Sequence, residues 1–337
     1  DEPIVKLASN ENALGPSKRA LRAIRDAAAT VHLYPDGGSF RLREALAKKL
    51  DVRPSQIAMG HGSNELLALL GHAFLEPGTN IVMADGAFVV YRLVADLYQA
   101  ATIAAPMKAF THDLDAMLGA ITPATRLVFV ANPNNPTGTM VDGPAIARFM
   151  ERVPAHVAVV IDEAYVEILP PDRQPDTLRY AREGRSVFVL RTFSKTYGLA
   201  GLRVGYAVSS EEGVGVLERV RQPFNVNSIA QTAALAALDD DAHVVRTRRM
   251  VGSGLAQMQR AFRAHGLDFV PSVANFILVK VGRGREVFER LQRRRVIVRA
   301  MDGYGLPDYI RVTIGTKAEN EFFLEQLRLV LAERTQP

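Results

Sequence analysis

One lysine stands alone in the middle of the chain. Lys195 is the only lysine between Lys108 and Lys280, and it sits in RTFSKTYGLAGLRVGY, residues 191–206. An apolar run ends at Leu190, and a hydroxyl-rich turn follows. A lysine amine at a strand end can form a Schiff base with a carbonyl group. The hydroxyls of Thr192 and Ser194 and the guanidinium of Arg203 could hold a phosphate beside it. Lone loop lysines are also ordinary surface residues, so this segment decides nothing by itself.

Three other segments share its chemistry. In VVIDEAYVEI, residues 159–168, Asp162 closes a run of β-branched residues and Tyr165 follows three positions on. A carboxylate at the end of a buried strand is costly without a partner. A protonated ring nitrogen would serve as one, with Tyr165 donating to an oxygen on the same ring; an acid here could equally cap a helix. Glu163 would point elsewhere. In FVANPNNPTG, residues 129–138, prolines fix a turn that could aim Asn135 at that oxygen. In GHGSNELL, residues 60–67, a glycine-rich turn opens a helix. The backbone N–H groups of Gly62, Ser63 and Asn64 could face a phosphate there, although glycine and serine start many helices.

These residues need a scaffold that gathers strand ends. Short apolar runs at 57–60, 81–84, 102–104, 127–131, 157–161, 187–190 and 204–208 are rich in Val and Ile and lack polar alternation, as expected of strands buried on both faces. Segments 64–74, 89–97 and 143–150 between them carry apolar residues at helical spacing. The order predicts an α/β domain with a mainly parallel sheet, whose ligands lie beyond the carboxyl ends of the strands. After Pro223 the texture changes. A helical region at 229–265 breaks near 239–241, strand-like runs follow at 276–279, 296–298 and 310–313, and helices start at Glu286 and Ala318. This reads as a smaller α+β domain. The expected division is 31–228 for the large domain, with 1–30 packing on the small domain formed by 229–337.

Composition bounds the function. The chain has 337 residues, 48% hydrophobic and 23% charged, and no cysteine, which excludes disulfides and thiolate metal sites. No apolar run is long enough to span a bilayer. No export signal is visible, which favours the cytoplasm, although the chain begins at Asp1 rather than Met. The net charge of +5 raises the question of nucleic acid. The densest basic runs, 246–249 and 293–295, lie in helical stretches and read as solvated helix faces, so neither nucleic acid nor membrane is expected as a partner.

The four segments, in this order, resemble the class I/II aminotransferases, fold-type I enzymes that use pyridoxal 5'-phosphate, over nearly the whole chain. Within them the chain is most similar to the histidinol-phosphate aminotransferase family, through KLASNENALGPS at 6–17, LYPDGG at 33–38, VRQPFNVNS at 220–228 and VIVRAMDGYGLPDYIRVTIGT at 296–316. The resemblance implies that Lys195 forms the Schiff base and then moves a proton. It gives the ring nitrogen to Asp162 and the ring oxygen to Tyr165 and Asn135, and stacks Phe88 on the ring. The phosphate falls to Gly62, Ser63, Asn64, Thr192, Ser194 and Arg203. Tyr34 would reach the neighbouring subunit's cofactor, implying a homodimer. Asn12, Arg299 and Arg311 would face substrate, with Arg311 binding a carboxylate when an amino acid occupies the site. The implied reaction joins histidinol phosphate and 2-oxoglutarate to imidazole acetol phosphate and glutamate, in histidine biosynthesis. Some relatives carry Tyr at the positions of Asn12 and Phe88, which leaves the substrate more open than the reaction. Rival readings are an aromatic amino-acid transaminase, a phosphothreonine decarboxylase and a non-enzymatic binding protein that kept the fold.

Overall fold

The structure, a computed structural model, describes residues 4–333. Its strands are β1 (Val5–Lys6), β2 (Ile57–Gly60), β3 (Asn80–Ala84), β4 (Ala101–Ala105), β5 (Met107–Lys108), β6 (Thr111–His112), β7 (Thr125–Ala131), β8 (Ala158–Asp162), β9 (Val187–Thr192), β10 (Gly205–Val208), β11 (Phe269–Val270), β12 (Phe276–Lys280), β13 (Val296–Ile297), β14 (Arg299–Ala300) and β15 (Tyr309–Thr313). The helices are α1 (Lys18–Ala27), α2 (Phe40–Leu50), α3 (Ser63–Phe74), α4 (Val90–Leu97), α5 (Leu114–Gly119), α6 (Gly143–Arg152), α7 (Leu178–Arg182), α8 (Glu211–Val220), α9 (Ser228–Leu238), α10 (Asp241–Ala264), α11 (Gly284–Arg293) and α12 (Lys317–Ala332). None of the described helices is long and apolar enough to cross a membrane.

Seven strands form the main sheet in the order β2-β10-β9-β8-β7-β3-β4. Pairing is parallel from β9 to β4, while β10 runs antiparallel to both its neighbours, β2 and β9. β2, β3 and β8 are buried at every position, as a sheet covered on both faces requires. Apolar runs in the sequence therefore mark these strands well but do not reveal the reversed direction of β10. The second sheet, β11-β12-β15-β14, is wholly antiparallel.

Two hydrophobic cores correspond to the two sheets, and they change over later than the sequence texture suggests. α9 buries Ala230, Ala233, Ala234, Ala237 and Leu238 in the first core, so this helix, expected beyond the 228/229 divide, packs with the large sheet. Asp240 caps α10 by accepting from the His243 amide, which accounts for the break near 239–241. α10 then bridges the cores along one face, with Val244 in the first and Met258 and Phe262 in the second. The first thirty residues also divide, rather than packing together on the small domain. β1 pairs with β13 and Leu7 joins the second core, but α1 lies on α9 and Ala20 is in the first. The run at 296–298 forms β13, paired with β1, and is followed directly by β14 at 299–300, paired with β15.

Candidate active site

The carboxyl ends of β7, β8 and β9 open into a cavity of about 510 Å³. Lys195, three residues beyond the end of β9, lines it and donates from Nζ to the Ser9 carbonyl oxygen at 3.1 Å. The amine lies 5.7 Å from the centre of the Tyr165 ring. Part of the side chain meets the cavity, but protein surrounds most of it. That burial, with the Arg311 charge second, pulls its pKa down to about 8. A lysine held this way gives up its proton more readily near physiological pH than one on an open surface.

Asp162 ends β8 and is buried. Its Oδ2 accepts from the Tyr91 hydroxyl at 2.8 Å and its Oδ1 from the Ala164 amide at 3.2 Å. The second contact is a local turn, not a helix cap, and the short 3-10 turn at Val166–Ile168 starts only after Tyr165. Desolvation raises the pKa of this carboxyl, although the Tyr91 bond and the Lys195 charge oppose the rise. A cation at the cavity face would therefore be a welcome partner. Tyr91 was legible in the sequence only as an apolar-face residue of α4. The structure shows it fully buried, stacked on Phe129 at 4.6 Å and edge-on to Phe88 at 5.7 Å. Glu163 does point away: it is wholly buried and accepts from Arg191 Nε at 2.8 Å and Thr177 Oγ1 at 2.6 Å.

The residues expected around the ring oxygen are brought together. The Tyr165 hydroxyl accepts from Asn10 Nδ2 at 2.9 Å. Asn135, in a loop with cis bonds before Pro133 and Pro136, accepts at Oδ1 from Arg311 Nη1. Its Oδ1 is thus engaged, and Nδ2 is the end that can donate to an oxygen. Arg311 also donates from Nη2 to the Ala8 carbonyl at 2.9 Å, while its buried Nε has no partner among the described residues. Burial lowers the Arg311 pKa.

A second cluster makes an anion cradle. Ser63 and Asn64, in the first turn of α3, line the cavity with Thr192, Ser194 and Arg203. Thr192 Oγ1 donates to Ser194 Oγ at 2.9 Å, and Arg203 Nη1 approaches that oxygen at 3.4 Å while donating to the Ala200 carbonyl at 3.0 Å. Gly62 does not line the cavity. Its φ of +77° suits glycine, and a Cβ there would lie 2.5 Å from Arg203 Nη2, so glycine lets the guanidinium reach the helix N-terminus. Helix N–H groups, two hydroxyls and a guanidinium are the donor set of a phosphate site.

Arg299 and Arg311 are directly opposite on the antiparallel pair β14–β15, and both line the cavity. Like charges facing across strands repel unless an anion lies between them. Phe88 lines the same cavity. Two expected residues lie elsewhere. Asn12 does not face the cavity: Nδ2 donates to the Thr196 carbonyl at 2.8 Å and to Thr247 Oγ1 at 3.0 Å, bracing the lysine loop. Asn10 and Glu11 line the cavity instead. Tyr34 is 83% exposed, away from the cavity, and stacks on Phe224 at 4.9 Å.

A profile described as Aminotransferase class I and II matches residues 2–327. The chain belongs to the class I and II aminotransferases. It is 53% identical over 329 residues to a histidinol-phosphate aminotransferase of Akkermansia muciniphila, covering 97% of this chain and 90% of that protein. A protein of the same name from Moorella thermoacetica is 49% identical over 331 residues, with 98% and 86% covered. Among solved structures, the histidinol-phosphate aminotransferase of Sinorhizobium meliloti in complex with pyridoxal-5'-phosphate superposes with a TM-score of 0.94 at 28% identity, covering 99% of this chain and 93% of that one. This aminotransferase chain therefore has the fold-type I architecture, an enzyme fold acting on small molecules.

Proposed function

We propose that this aminotransferase moves the amino group of histidinol phosphate to 2-oxoglutarate, giving imidazole acetol phosphate and glutamate in histidine biosynthesis, with pyridoxal 5'-phosphate as cofactor. The observation that carries the substrate reading is the facing pair Arg299 and Arg311 in one cavity with a lysine of lowered pKa. Two arginines can grip a phosphate or a carboxylate by paired N–H bonds, and both substrates carry such a group. The relatives named above, near half identical over almost the whole chain, support the same donor.

The residues fit the cofactor on the chemistry of their donors. The cradle at Ser63, Asn64, Thr192, Ser194 and Arg203 matches its phosphate, Asp162 its protonated ring nitrogen, Tyr165 and Asn135 its ring oxygen, and Phe88 a ring face. When bound, the cofactor supplies an electron sink for the breaking bond to hydrogen at the donor carbon. Lys195, in its neutral form, would take that proton and pass it to the carbon of the cofactor that receives the amino nitrogen, and carry one back in the reverse half of the cycle. Asp162, kept oriented by Tyr91, would face the ring nitrogen as its charge partner and hold its proton. Asn10 fixes the Tyr165 hydroxyl, and Arg299 and Arg311 set which bond of the donor faces Lys195. Tyr34 supports a homodimer in which it reaches the partner's site, since Val31, Leu33, Tyr34 and Phe40 are exposed apolar side chains of one short segment.

The test is spectroscopic. Protein reconstituted with pyridoxal 5'-phosphate should lose its visible cofactor absorbance on addition of histidinol phosphate and regain it with 2-oxoglutarate. Absorbance indifferent to histidinol phosphate would sink the donor assignment, and bleaching by phenylalanine alone would move it to aromatic amino acids.

A further inference from the structure

A second cavity, of about 530 Å³, lies beside the first. The two share only two lining residues, Val89 and Tyr304. Val89 immediately follows Phe88, so the shared wall stands next to the aromatic ring of the cofactor cavity. Tyr304 comes from the other side of the molecule, in the 3-10 turn Asp302–Tyr304 that leads to β15. Its ring is part of the apolar cluster around Val270, Leu278 and Met301. Its hydroxyl reaches the backbone of Val89, the N-cap residue of α4, which offers no side-chain cap of its own. One side chain from the small sheet thus closes the gap to a helix of the large one.

The second cavity mixes polar and apolar walls, with a modest apolar excess. Met83, Met107, Phe110 and Leu306 line it, while the charged pair Asp85 and Arg92 stands at a solvent-exposed position. Methionines adapt their shape to a variable apolar guest. Gly86 keeps the space open, because a Cβ there would meet Met107 Sδ at 2.6 Å. The floor shares the Pro-rich loop of the first cavity, through Thr137 and through the Asn134 Nδ2 bond to the Gly86 carbonyl at 3.1 Å.

We infer that Tyr304 is a specificity-determining partition, and that the cavity behind it is room for donor side chains larger and more apolar than an imidazole ring. This rests on the transaminase reading above. With Tyr304 in place, the donor's side chain is confined to the cavity that Arg299 and Arg311 line, which favours small anionic donors. With the ring removed, the two cavities join, and an indole or phenyl side chain can extend past Val89 while its carboxylate still reaches Arg311.

The test compares holoenzymes with Tyr304→Ala, Tyr304→Phe and the double change Tyr304→Ala with Met107→Trp, which refills the second cavity from its far wall. Two quantities are measured: the ratio of kcat/KM for tryptophan to that for histidinol phosphate, and the affinity for indole-3-propionate, an unreactive carboxylate, by calorimetry. Tyr304→Ala should raise the ratio and tighten indole-3-propionate at least tenfold. Tyr304→Phe should shift both less, and Met107→Trp should reverse the gain. A ratio and an affinity within twofold of the unsubstituted enzyme, in variants that retain its melting temperature and cofactor absorbance, would overturn the partition. If Tyr304→Ala fails to fold, Tyr304→Leu, which removes the ring but keeps an apolar side chain, takes its place: an indole-3-propionate affinity unchanged in that variant would count against the partition. An unsubstituted enzyme that transaminates neither donor would instead refute the proposed function, and the binding measurement would still judge the partition.

Discussion

The two halves of the active-site cavity are built in different ways. On the cofactor side, Asp162, Thr192, Ser194, Lys195 and the α3 N-terminus all hang from neighbouring strands and their loops over one core. On the substrate side, Arg299 and Arg311 come from the small sheet and Asn10 and Glu11 from the N-terminal segment, while Asn135 of the Pro-rich loop, a cofactor-side residue, accepts from Arg311. The first is rigid and local; the second exists only where three distant stretches of chain meet. In the proposed function the cofactor chemistry falls to the first half and the choice of substrate to the composite one.

Substitutions on the two sides should therefore fail differently. The largest effect belongs to the rigid half: Lys195→Ala removes both the covalent anchor and the base, and kcat should fall by a factor on the order of 10³ or more, read in single-turnover assays with histidinol phosphate. A residual rate close to that of the unsubstituted enzyme would place the base elsewhere. On the composite half, Arg311→Lys keeps the charge but loses the planar fork, so KM for histidinol phosphate should rise by about tenfold with the cofactor spectrum intact. Altered cofactor binding instead would erase the distinction between the halves. Gly62→Ala probes the cradle without touching the cavity wall. Displacement of Arg203 should weaken pyridoxal 5'-phosphate binding by about tenfold, measured by equilibrium dialysis.

The smallest effect lies beneath the site. Burial raises the Glu167 carboxyl to about 7, and its Oε2 has no partner among the described residues. Because the folded protein holds this proton more tightly than the unfolded chain, stability is full below the unfolded pKa and declines as pH rises toward 7. Glu167→Gln mimics the protonated acid. It should match the unsubstituted protein at pH 5 and exceed it at pH 8 by about 1–3 kcal/mol in denaturant melts, since a buried charge is no longer formed. Parallel pH profiles for the two proteins would show that this carboxyl titrates alike in the folded and unfolded states, without the raised pKa.

The same contrast explains what could be read from the sequence. Cofactor-side groups sit at fixed short distances from apolar runs, as Asp162 does from 157–161 and Lys195 from 187–190, so a run and a residue type suffice to find them. Asn12 was misplaced by two positions, because an irregular segment gives no periodicity to say which of Asn10 and Asn12 turns inward. Tyr91 hid in the apolar face of α4, where a tyrosine looks like any core aromatic until the Asp162 oxygen appears beside it. Tyr304 was part of a recognisable segment, but its position between two cavities follows from the approach of two domains, which no local pattern records. α9, with five alanines, carries no mark of which core it joins.

The N-terminal segment has a consequence for the order in which the molecule is made. Ser9, Asn10 and Asn12 contact Lys195, Tyr165 and Thr196, yet Leu7 and Asn10 also need β15, some 300 residues later, through the Thr313 amide and hydroxyl. This stretch must wait for one made some 300 residues later before it can dock. Contacts this distant in sequence form late, because loop closure precedes their reward. During synthesis the large sheet can be complete while Lys195 still lacks the stretch of chain that covers it, so the pocket is finished only once β15 has been made.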